Sequence, residues 1–568
     1  MRRTPMTARA NVISVASRRK PWSVGFGEAL DIFGIPIELE QEQVSARIVR
    51  VEPERLEPAA DFPATEQLLT EGGDSRIVCE PAGANRYGCS ALPEPEVLGF
   101  GSSTASTISP AGFIAADALR KRLKEAATHE AASVTYEREL DRIRRELVKL
   151  CGLGDLAGLE TIFGASGTDL HLFASQLMVV VDEAPPVIIR VEAAETGRGV
   201  PDALAGRHFS DCAALGDTVS ANAPLDCGCP IDIVEVKCRN ADGSQRDLAT
   251  VDAEVEEAVL RAVAMERRVL LTMVDVSKTG LLAPSPGCVD GLRCRFPDLV
   301  EVLVDACQFR LAPATLKSYL ERDFVVAITG SKFIAGPTFC GALFVPQAAA
   351  QRLRTRRLPR ALKSYSARAD WPRNWAARTT LYNVANYGLL MRWEAALAEM
   401  RAFAQLSNEA VTDFLNSFAA AITAHLNDSP AFEMLPASVL DRGPIGQPET
   451  WDRLPTIFSF LLRRESAPGH TTWLSQNDTK RVHELMREDA RHLTDIAPSS
   501  LLSTRCQLGQ PVPCGTRAGA PVSALRLCLS SRLIVDAVSP TGRGSEAVIE
   551  EALAMLDKAA ILAGLSLT

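Results

Sequence analysis

Between residues 187 and 328 the sequence alternates short apolar runs with amphipathic segments, and this alternation restricts the fold more than any other feature. Valines at four-residue spacing between residues 251 and 263 mark one face of a helix. Such alternation predicts an α/β fold with a large, mostly parallel sheet. Parallel sheets bind ligands at the carboxyl ends of their strands, so the polar residues after each run are the candidates for chemistry. Five runs read as strands: Val187–Val191, Ile231–Lys237, Val269–Val274, Val302–Asp305 and Phe324–Ile328.

The remaining segments predict three parts of the chain. Residues 1–95, rich in Pro, Glu and Gly, predict an N-terminal arm or small subdomain, and residues 96–405 the large α/β domain. A helical stretch over residues 382–427 leads out of that domain. Strand-like runs return at Thr456–Leu462 and Leu525–Leu529, so residues 406–568 predict a smaller α+β C-terminal domain.

Composition narrows the classes of function. The 568 residues are 46% hydrophobic and carry a net charge of −9, which leaves no basic footprint for nucleic acid. The first 20 residues hold six Arg or Lys and no acid; this favours a solvated tail over the alternative of a transit peptide. The 14 cysteines are scattered, which predicts reduced thiols in the cytoplasm. A soluble enzyme for small molecules is therefore the first hypothesis.

Metal, histidine and membrane sites have little support in the sequence. Cys227 and Cys229, near Cys212 and Cys238, lack the C-x₂-C pairs of structural zinc sites, so no metal is predicted. The seven histidines are dispersed and predict no histidine-centred site. The apolar stretch 324–346 is interrupted by Gly, Pro and Lys332, so no membrane span is predicted there.

One constellation of residues carries chemistry. Asp305 closes an apolar run, Gln308 follows it, and Lys332 comes after the next run in the segment Thr329-Gly-Ser-Lys. An acid and a lysine in apolar surroundings each need a partner. Pyridoxal 5′-phosphate (PLP) supplies both partners, because its aldehyde forms a Schiff base with the lysine and its pyridinium nitrogen pairs with the aspartate.

A second motif suits the phosphate of such a cofactor. Ser166, Gly167 and Thr168 precede a predicted helix that starts near Asp169. Free backbone N–H groups, a glycine that permits close approach and two hydroxyls together predict a phosphate cradle at the positive end of that helix. An ordinary helix cap is the alternative for this motif taken alone.

From Gly99 to the C-terminus the chain resembles the fold type I PLP enzymes, in particular the class V aminotransferase and cysteine desulfurase group. The resemblance rests on 101–110, Ser166–Thr168, the Asp305-x-x-Gln308 pair, Thr329–Lys332 and the segment around Arg526. It implies that Asp305 holds the pyridinium, Gln308 the ring hydroxyl and Lys332 the Schiff base. The other roles implied by the resemblance are a ring cover at Thr196, phosphate binding by Thr329, substrate contacts from Ser103 and Thr104, a carboxylate clamp at Arg526, and phosphate binding across a homodimer interface by Thr380.

The resemblance implies a transferase or a lyase/synthase that acts on an amino acid. Lys332 would remove the Cα proton, and amino transfer or elimination and replacement at Cβ or Cγ would follow. Thr196 stands where most relatives have an aromatic residue or histidine, and residues 274–279 lack the usual Asn. Two alternatives remain: desulfurase-type sulfur transfer through Cys506, which lies with Cys514 in a Gly/Pro-rich segment predicted as a loop, or a non-catalytic scaffold.

Overall fold

The computed structural model describes residues 62–565, except residues 82, 181–182, 226–229, 438, 447–448, 468 and 494–497. The basic tail, the transit-peptide alternative and most of the predicted arm fall on residues 1–61 and lie outside the described residues. Cys227 and Cys229 also lie outside them.

The strands of the described chain are short, as is usual for globular proteins. They are β1 (Val97–Phe100), β2 (Glu160–Gly164), β3 (Val187–Val191), β4 (Asp232–Val236), β5 (Val269–Asp275), β6 (Leu282–Ala283), β7 (Val300–Ala306), β8 (Val325–Thr329), β9 (Gly341–Val345), β10 (Phe432–Met434), β11 (Ile457–Ala467), β12 (His470–Trp473), β13 (Arg505–Arg517) and β14 (Ala520–Cys528).

The α-helices range from single turns to more than five turns. They are α1 (Thr65–Leu69), α2 (Pro110–Ala126), α3 (Ala132–Leu150), α4 (Gly167–Met178), α5 (Val200–Leu204), α6 (Leu248–Ala264), α7 (Pro286–Arg295), α8 (Pro313–Glu321), α9 (Gln347–Leu353), α10 (Tyr387–Phe403), α11 (Asn408–Asp428), α12 (Gln476–Leu485), α13 (Ser499–Ser503), α14 (Ser531–Val538) and α15 (Ser545–Gly564). Short 3₁₀ helices span Ser75–Ile77, Ala193–Glu195, Arg360–Ser364, Arg368–Asp370, Ala376–Thr379, Trp451–Arg453 and Arg491–Leu493.

The first sheet has eight strands in the order β2-β9-β8-β7-β5-β3-β4, with β6 paired to β5. The pairs from β4 through β3, β5 and β7 to β8 are parallel, whereas β9 is antiparallel to both of its neighbours. Every residue of β5, β8 and β9 is buried, because both faces of a parallel sheet are covered by helices. This confirms the predicted α/β fold with a mostly parallel sheet.

The second sheet has six strands in the order β1-β13-β14-β11-β10, with β12 paired to β11. Its pairs are antiparallel except the pair of β1 with β13. Strand β1, which directly follows the predicted arm, therefore belongs to a sheet built mainly from C-terminal strands. The division into residues 1–95, 96–405 and 406–568 stays a prediction.

Strand β13 corrects one expectation from the sequence. Cys506 and Cys514 were expected in a loop, yet both lie in this strand, in which glycine and proline are frequent. Register shifts between Gly509 and Val512 and between Pro513 and Thr516 interrupt the ladder where the prolines fall. Proline is tolerated at such irregularities because its missing N–H is not needed there.

Helix α10 is the centre of the helical layer. Nearly all of its residues from Gly388 to Met400 are buried, and it packs against α1, α2, α3 and α14. Its buried charged residues, Arg392, Glu394 and Glu399, all have hydrogen-bond or ion-pair partners. In the part of the chain that the structure describes, no helix is long and apolar enough to cross a membrane.

Candidate functional site

The candidate residues gather at the carboxyl edge of the first sheet. Asp305 is the penultimate residue of β7 and Thr329 is the last residue of β8, three positions before Lys332. Ser166 follows β2 and caps α4, and Thr196 follows β3 after one 3₁₀ turn. Because neighbouring parallel strands end at one edge, residues far apart in the sequence meet there.

The start of helix α4 is a complete capping box. The Ser166 hydroxyl donates to Asp169 Oδ2 at 2.5 Å and accepts from the Asp169 backbone N–H at 3.3 Å, while Asp169 Oδ2 also accepts from the Ser166 backbone N–H at 2.8 Å. Burial, and next the charge of Asp74, raise the pKa of Asp169 to about 7. This reciprocal cap fixes the first turn, whose backbone N–H groups form the positive end of the helix.

Gly167 brings this helix end against strands β7 and β8. A Cβ atom at Gly167 would lie 2.7 Å from Cys307 Sγ and 3.3 Å from Thr329 Cγ2, so a side chain does not fit there. The Thr329 hydroxyl donates to the Cys307 carbonyl at 2.6 Å. The predicted cradle, Thr329 and the residues after Asp305 are therefore in direct contact.

A histidine for which the sequence predicts no role pairs with Asp305. His171 lies one turn into α4, where Nδ1 contacts the Gly167 carbonyl at 2.7 Å and Nε2 lies 3.2 Å from Asp305 Oδ2. Burial would raise the pKa of Asp305, but His171 and then the Lys332 ammonium outweigh it and hold that pKa well below its usual range. Burial likewise opposes a charged His171, yet Asp305 raises its pKa. Asp305 is thus held ionised inside the protein.

Lys332 begins the loop between β8 and β9. Its backbone carbonyl accepts from the Ala335 N–H at 2.9 Å. Among the described residues, its ammonium has no hydrogen-bond or ion-pair partner. A primary amine beside the ionised Asp305 is thus left for a further group.

The carboxyl-edge loops contain strained backbone. Val276, Phe309, Ala335 and Phe339 all have positive φ, between 53° and 72°, although none is glycine. Val276 follows β5 directly, and Phe309 and Ala335 follow Gln308 and Lys332 closely. Such conformations are costly for residues with a Cβ and cluster at functional sites.

Arg526 anchors a second part of the site. It lies on β14 between Ser459 of β11 and Gly509 of β13 and is 2% exposed. Nη1 donates to the Lys278 carbonyl and Nη2 to Thr104 Oγ1, both at 3.0 Å, and Nη2 also donates to the Gln510 carbonyl. In the described chain Arg526 meets no carboxylate, and its buried Nε–H has no acceptor. Burial lowers the pKa of Arg526.

Residues 103 and 308 connect this part of the site to β7. Gln308 donates its side-chain N–H to the Ser103 carbonyl at 2.9 Å, and its Oε1 is buried without a donor among the described residues. The Ser103 hydroxyl accepts from the Cys528 thiol at 3.0 Å. Ser103, Thr104, Gln308 and Arg526 therefore form one connected group.

Glu195 and Lys278 are further charged residues at this edge that the sequence did not single out for a role. Glu195 accepts from Arg239 Nε at 2.6 Å and from the Ser277 and Thr279 hydroxyls, each at 2.6 Å. Burial, and next the charge of Arg526, lower the pKa of Lys278 to about 8. Lys278 lies three residues after the end of β5. This position after a strand was the signal in the sequence that could have identified it.

Among the described residues, the hydroxyls of Thr196 and Thr380, which the resemblance assigns to the cofactor, donate only to backbone carbonyls. The Thr196 hydroxyl donates weakly to the Ala193 carbonyl at 3.4 Å, and its loop borders Thr168. The Thr380 hydroxyl donates to the Leu358 carbonyl at 3.2 Å and, in the part of the chain that the structure describes, makes no hydrogen bond to the other candidates.

His171, Asp305 and Cys307 also place three typical metal-ligating atoms within 4.8 Å of one another. Burial raises the pKa of the Cys307 thiol well above its usual range, and Asp305 adds to this effect. The sulfur is therefore protonated, and His171 already pairs with Asp305. We therefore interpret these residues as hydrogen-bonding partners of the Asp305 carboxylate, which contacts His171 Nε2 and the Cys307 backbone N–H.

No family model and no curated protein matches this sequence. Among solved structures, the cysteine desulfurase CsdA of Escherichia coli in an S-sulfonic acid form is similar at 13% identity and a TM-score of 0.49, over 82% of this chain and 95% of that chain. A NifS-like protein is similar at 10% identity and a TM-score of 0.47, over 81% of this chain and 99% of that chain. A C-DES variant with glycine covalently linked to its PLP cofactor is similar at 15% identity and a TM-score of 0.48, over 82% of this chain and 97% of that chain.

Proposed function

We propose that the chain is a PLP-dependent enzyme that acts on an amino-acid substrate. The observation that carries the proposal is the combination of a buried, ionised Asp305, supported by His171, with the unpartnered amine of Lys332 in the loop that follows the neighbouring strand β8. A carboxylate for the pyridinium nitrogen and an amine for the aldehyde are the two groups that PLP requires.

The neighbouring residues fit the remaining parts of the cofactor. Ser166, Gly167 and Thr168 offer hydroxyls and backbone N–H groups for the phosphate, and Thr329 lies against them. Gln308 Oε1 lacks a donor and would face the ring hydroxyl. The Thr196 loop, which borders Thr168, would cover the ring. When bound, PLP supplies an electron sink that stabilises negative charge at the substrate Cα.

The residues of this chain would then divide the work. Lys332 Nζ would accept the Cα proton as general base. Asp305, kept ionised by His171, would hold a proton on the pyridine nitrogen of the bound cofactor. Arg526 binds the substrate carboxylate through its spare N–H groups, with Thr104 and Ser103 beside it. This fixed carboxylate decides which bond at Cα can break.

The proposal includes both reaction branches, amino transfer and elimination or replacement at Cβ or Cγ. Sulfur transfer through Cys506 has less support, because Cys506 is completely buried in β13 and burial raises the pKa of its thiol to about 12. Cys514 is buried as well, and burial raises its thiol pKa. A scaffold without activity does not explain why both Asp305 and Lys332 are present.

A homodimer and a cytoplasmic location complete the proposal. Thr380 lies apart from the site of its own chain, which suits a residue that serves the partner's phosphate. Every described cysteine is a free thiol, as expected in a reducing compartment.

Reductive trapping tests the proposed function. Incubation with PLP should give a yellow protein, and borohydride should bleach the protein and attach the cofactor to the peptide that contains Lys332, as seen by mass spectrometry. Lys332→Ala should abolish this attachment, whereas Lys480→Ala, at an exposed lysine of α12, should keep it. A colourless wild-type protein, or equal labelling of the Lys332→Ala variant, would refute the proposal.

A further inference from the structure

Residues 62–77, the N-terminal segment, precede both sheets and place an arginine at the phosphate cradle formed by Ser166, Gly167 and Thr168. Arg76 lies in the 3₁₀ helix Ser75–Ile77. Its Nη2 lies 3.4 Å from Ser166 Oγ, and both Nη1 and Nη2 lie 3.4 Å from Thr168 Oγ1. The end of the guanidinium thus faces the two hydroxyls that open helix α4.

The other edge of this guanidinium is already occupied. Arg76 Nε donates to Asp74 Oδ1 at 2.7 Å, and Nη2 donates to Asp74 Oδ2 at 2.6 Å. Arg76 also lies over the Phe339 ring, 4.5 Å from its centroid, and its side chain is only 14% exposed. A guanidinium has five N–H donors, so those not used by Asp74 remain on the side of the cradle, in a fixed orientation.

Helix α10 holds this segment in place. Arg392, which is completely buried, donates to the carbonyls of Leu69, Glu71 and Gly72, and its Nε donates to the Phe339 carbonyl. Gly72 has a φ of +66°, and a Cβ there would collide with Asn386. The position of Arg76 is therefore set by packing within the protein.

The charges around the cradle make a cation necessary. Asp74 and Asp169 are both buried beside it, and each would repel a phosphate when it is ionised. Arg76 is the cation that contacts the cradle hydroxyls in the described chain. A guanidinium can donate two parallel hydrogen bonds to a phosphate oxygen pair, which the hydroxyls alone cannot match in strength.

We propose that Arg76 binds the phosphate of the cofactor, so that the N-terminal segment completes the cofactor site within its own chain. This inference rests on the proposed function. It gives a role to a part of the chain, residues 62–77, that the family resemblance leaves unmatched.

Binding of pyridoxamine 5′-phosphate and of pyridoxamine, measured by calorimetry on the cofactor-free full-length protein, tests the inference. Neither compound has an aldehyde, so the result does not depend on Lys332. Arg76→Gln should weaken binding of the phosphorylated compound about 10- to 100-fold, as expected for a lost charge-assisted contact, and leave pyridoxamine within about 2-fold. Arg76→Lys keeps the charge but not the paired donors, so its affinity for pyridoxamine 5′-phosphate should lie between those of the wild type and Arg76→Gln.

Arg120→Gln is the matched control, because Arg120 contacts Thr65 of the same segment away from the cradle; it should leave both affinities unchanged. Equal weakening of both compounds by Arg76→Gln, or no weakening of either, would overturn the inference in favour of a purely structural arginine. If Arg76→Gln does not fold, the ratio of the two affinities in Arg76→Lys decides in the same way. If the wild-type protein passes the trapping test but binds both compounds equally well, only the inference about Arg76 is refuted. If it also fails the trapping test, the proposed function is refuted.

Discussion

At the scale of single residues, the buried pair of His171 and Asp305 makes folding stability depend on pH. The folded pKa of His171 is raised, so its contribution is complete below the ordinary value of about 6.5 and is lost as the pH rises through the folded value. The folded pKa of Asp305 is lowered, so its contribution is present above about 3.9 and is lost as the pH falls through the folded value. Between these limits the pair stabilises the fold most.

His171→Phe should therefore destabilise the cofactor-free protein by about 3 kcal/mol near pH 6, because it leaves a buried carboxylate without its partner. The decline of stability above about pH 6.5 should also become shallower. Thermal unfolding across this pH range measures both effects. His425→Phe is the control, since His425 is partly exposed and pairs at 3.0 Å with the exposed Asp557; this substitution should cost under about 1 kcal/mol. Equal costs for both variants would contradict the assigned role of His171.

At the scale of elements, helix α10 and the N-terminal segment act as one unit. The carbonyl oxygens of the segment accept hydrogen bonds from the buried guanidinium of Arg392 on α10, so neither element satisfies its polar groups alone. Gly388 belongs to the same contact, because a Cβ there would lie 2.0 Å from the Glu71 carbonyl oxygen. Arg392 thus makes more hydrogen bonds to residues 62–77 than Asn386, which donates to the Gly72 carbonyl alone.

Arg392→Met should release this segment. We expect hydrogen exchange of residues 65–77 to speed up at least about 10-fold, since several buried carbonyls lose a charged donor worth about 1.5–3 kcal/mol. Mass spectrometry of exchanged peptides measures this change. Arg401→Met, on the same helix but 40% exposed and paired with Glu146, should leave the exchange unchanged. Unchanged exchange in Arg392→Met would mean that other contacts hold the segment.

At the scale of the whole molecule, a buried ion pair joins the first sheet to the C-terminal part of the chain. Arg442 Nε and Nη2 donate to the two oxygens of Asp275, at the end of β5, each at 2.7 Å. Tyr319 of α8 adds a hydrogen bond to Asp275 at 2.6 Å, and both charged side chains are at most 2% exposed. The two parts therefore share a charged contact that water does not screen.

Arg442→Met should lower the free energy of unfolding by about 3–5 kcal/mol, because Asp275 stays buried without its partner. Denaturant unfolding measures this loss, and a second substitution, Asp275→Asn, should recover part of it. Arg463→Met is the control: Arg463 pairs with Glu433 at a site that is 27% exposed, and its loss should cost about 1 kcal/mol or less. An Arg442→Met variant as stable as this control would show that the contact does not join the two parts.

The sequence by itself determined the α/β fold with its parallel strands and the positions of Asp305, Gln308 and Lys332, because periodicity and strand ends are local properties. It also predicted the helix start to within two residues, near Asp169 against the observed Gly167, because capping depends on only four residues. Tertiary structure alone decided that His171 supports Asp305 and that Arg76 faces Ser166 across 90 residues of sequence. It also placed Cys506 in a buried strand rather than a loop. These contacts depend on how separate elements pack, and packing is a property that no short window of sequence contains.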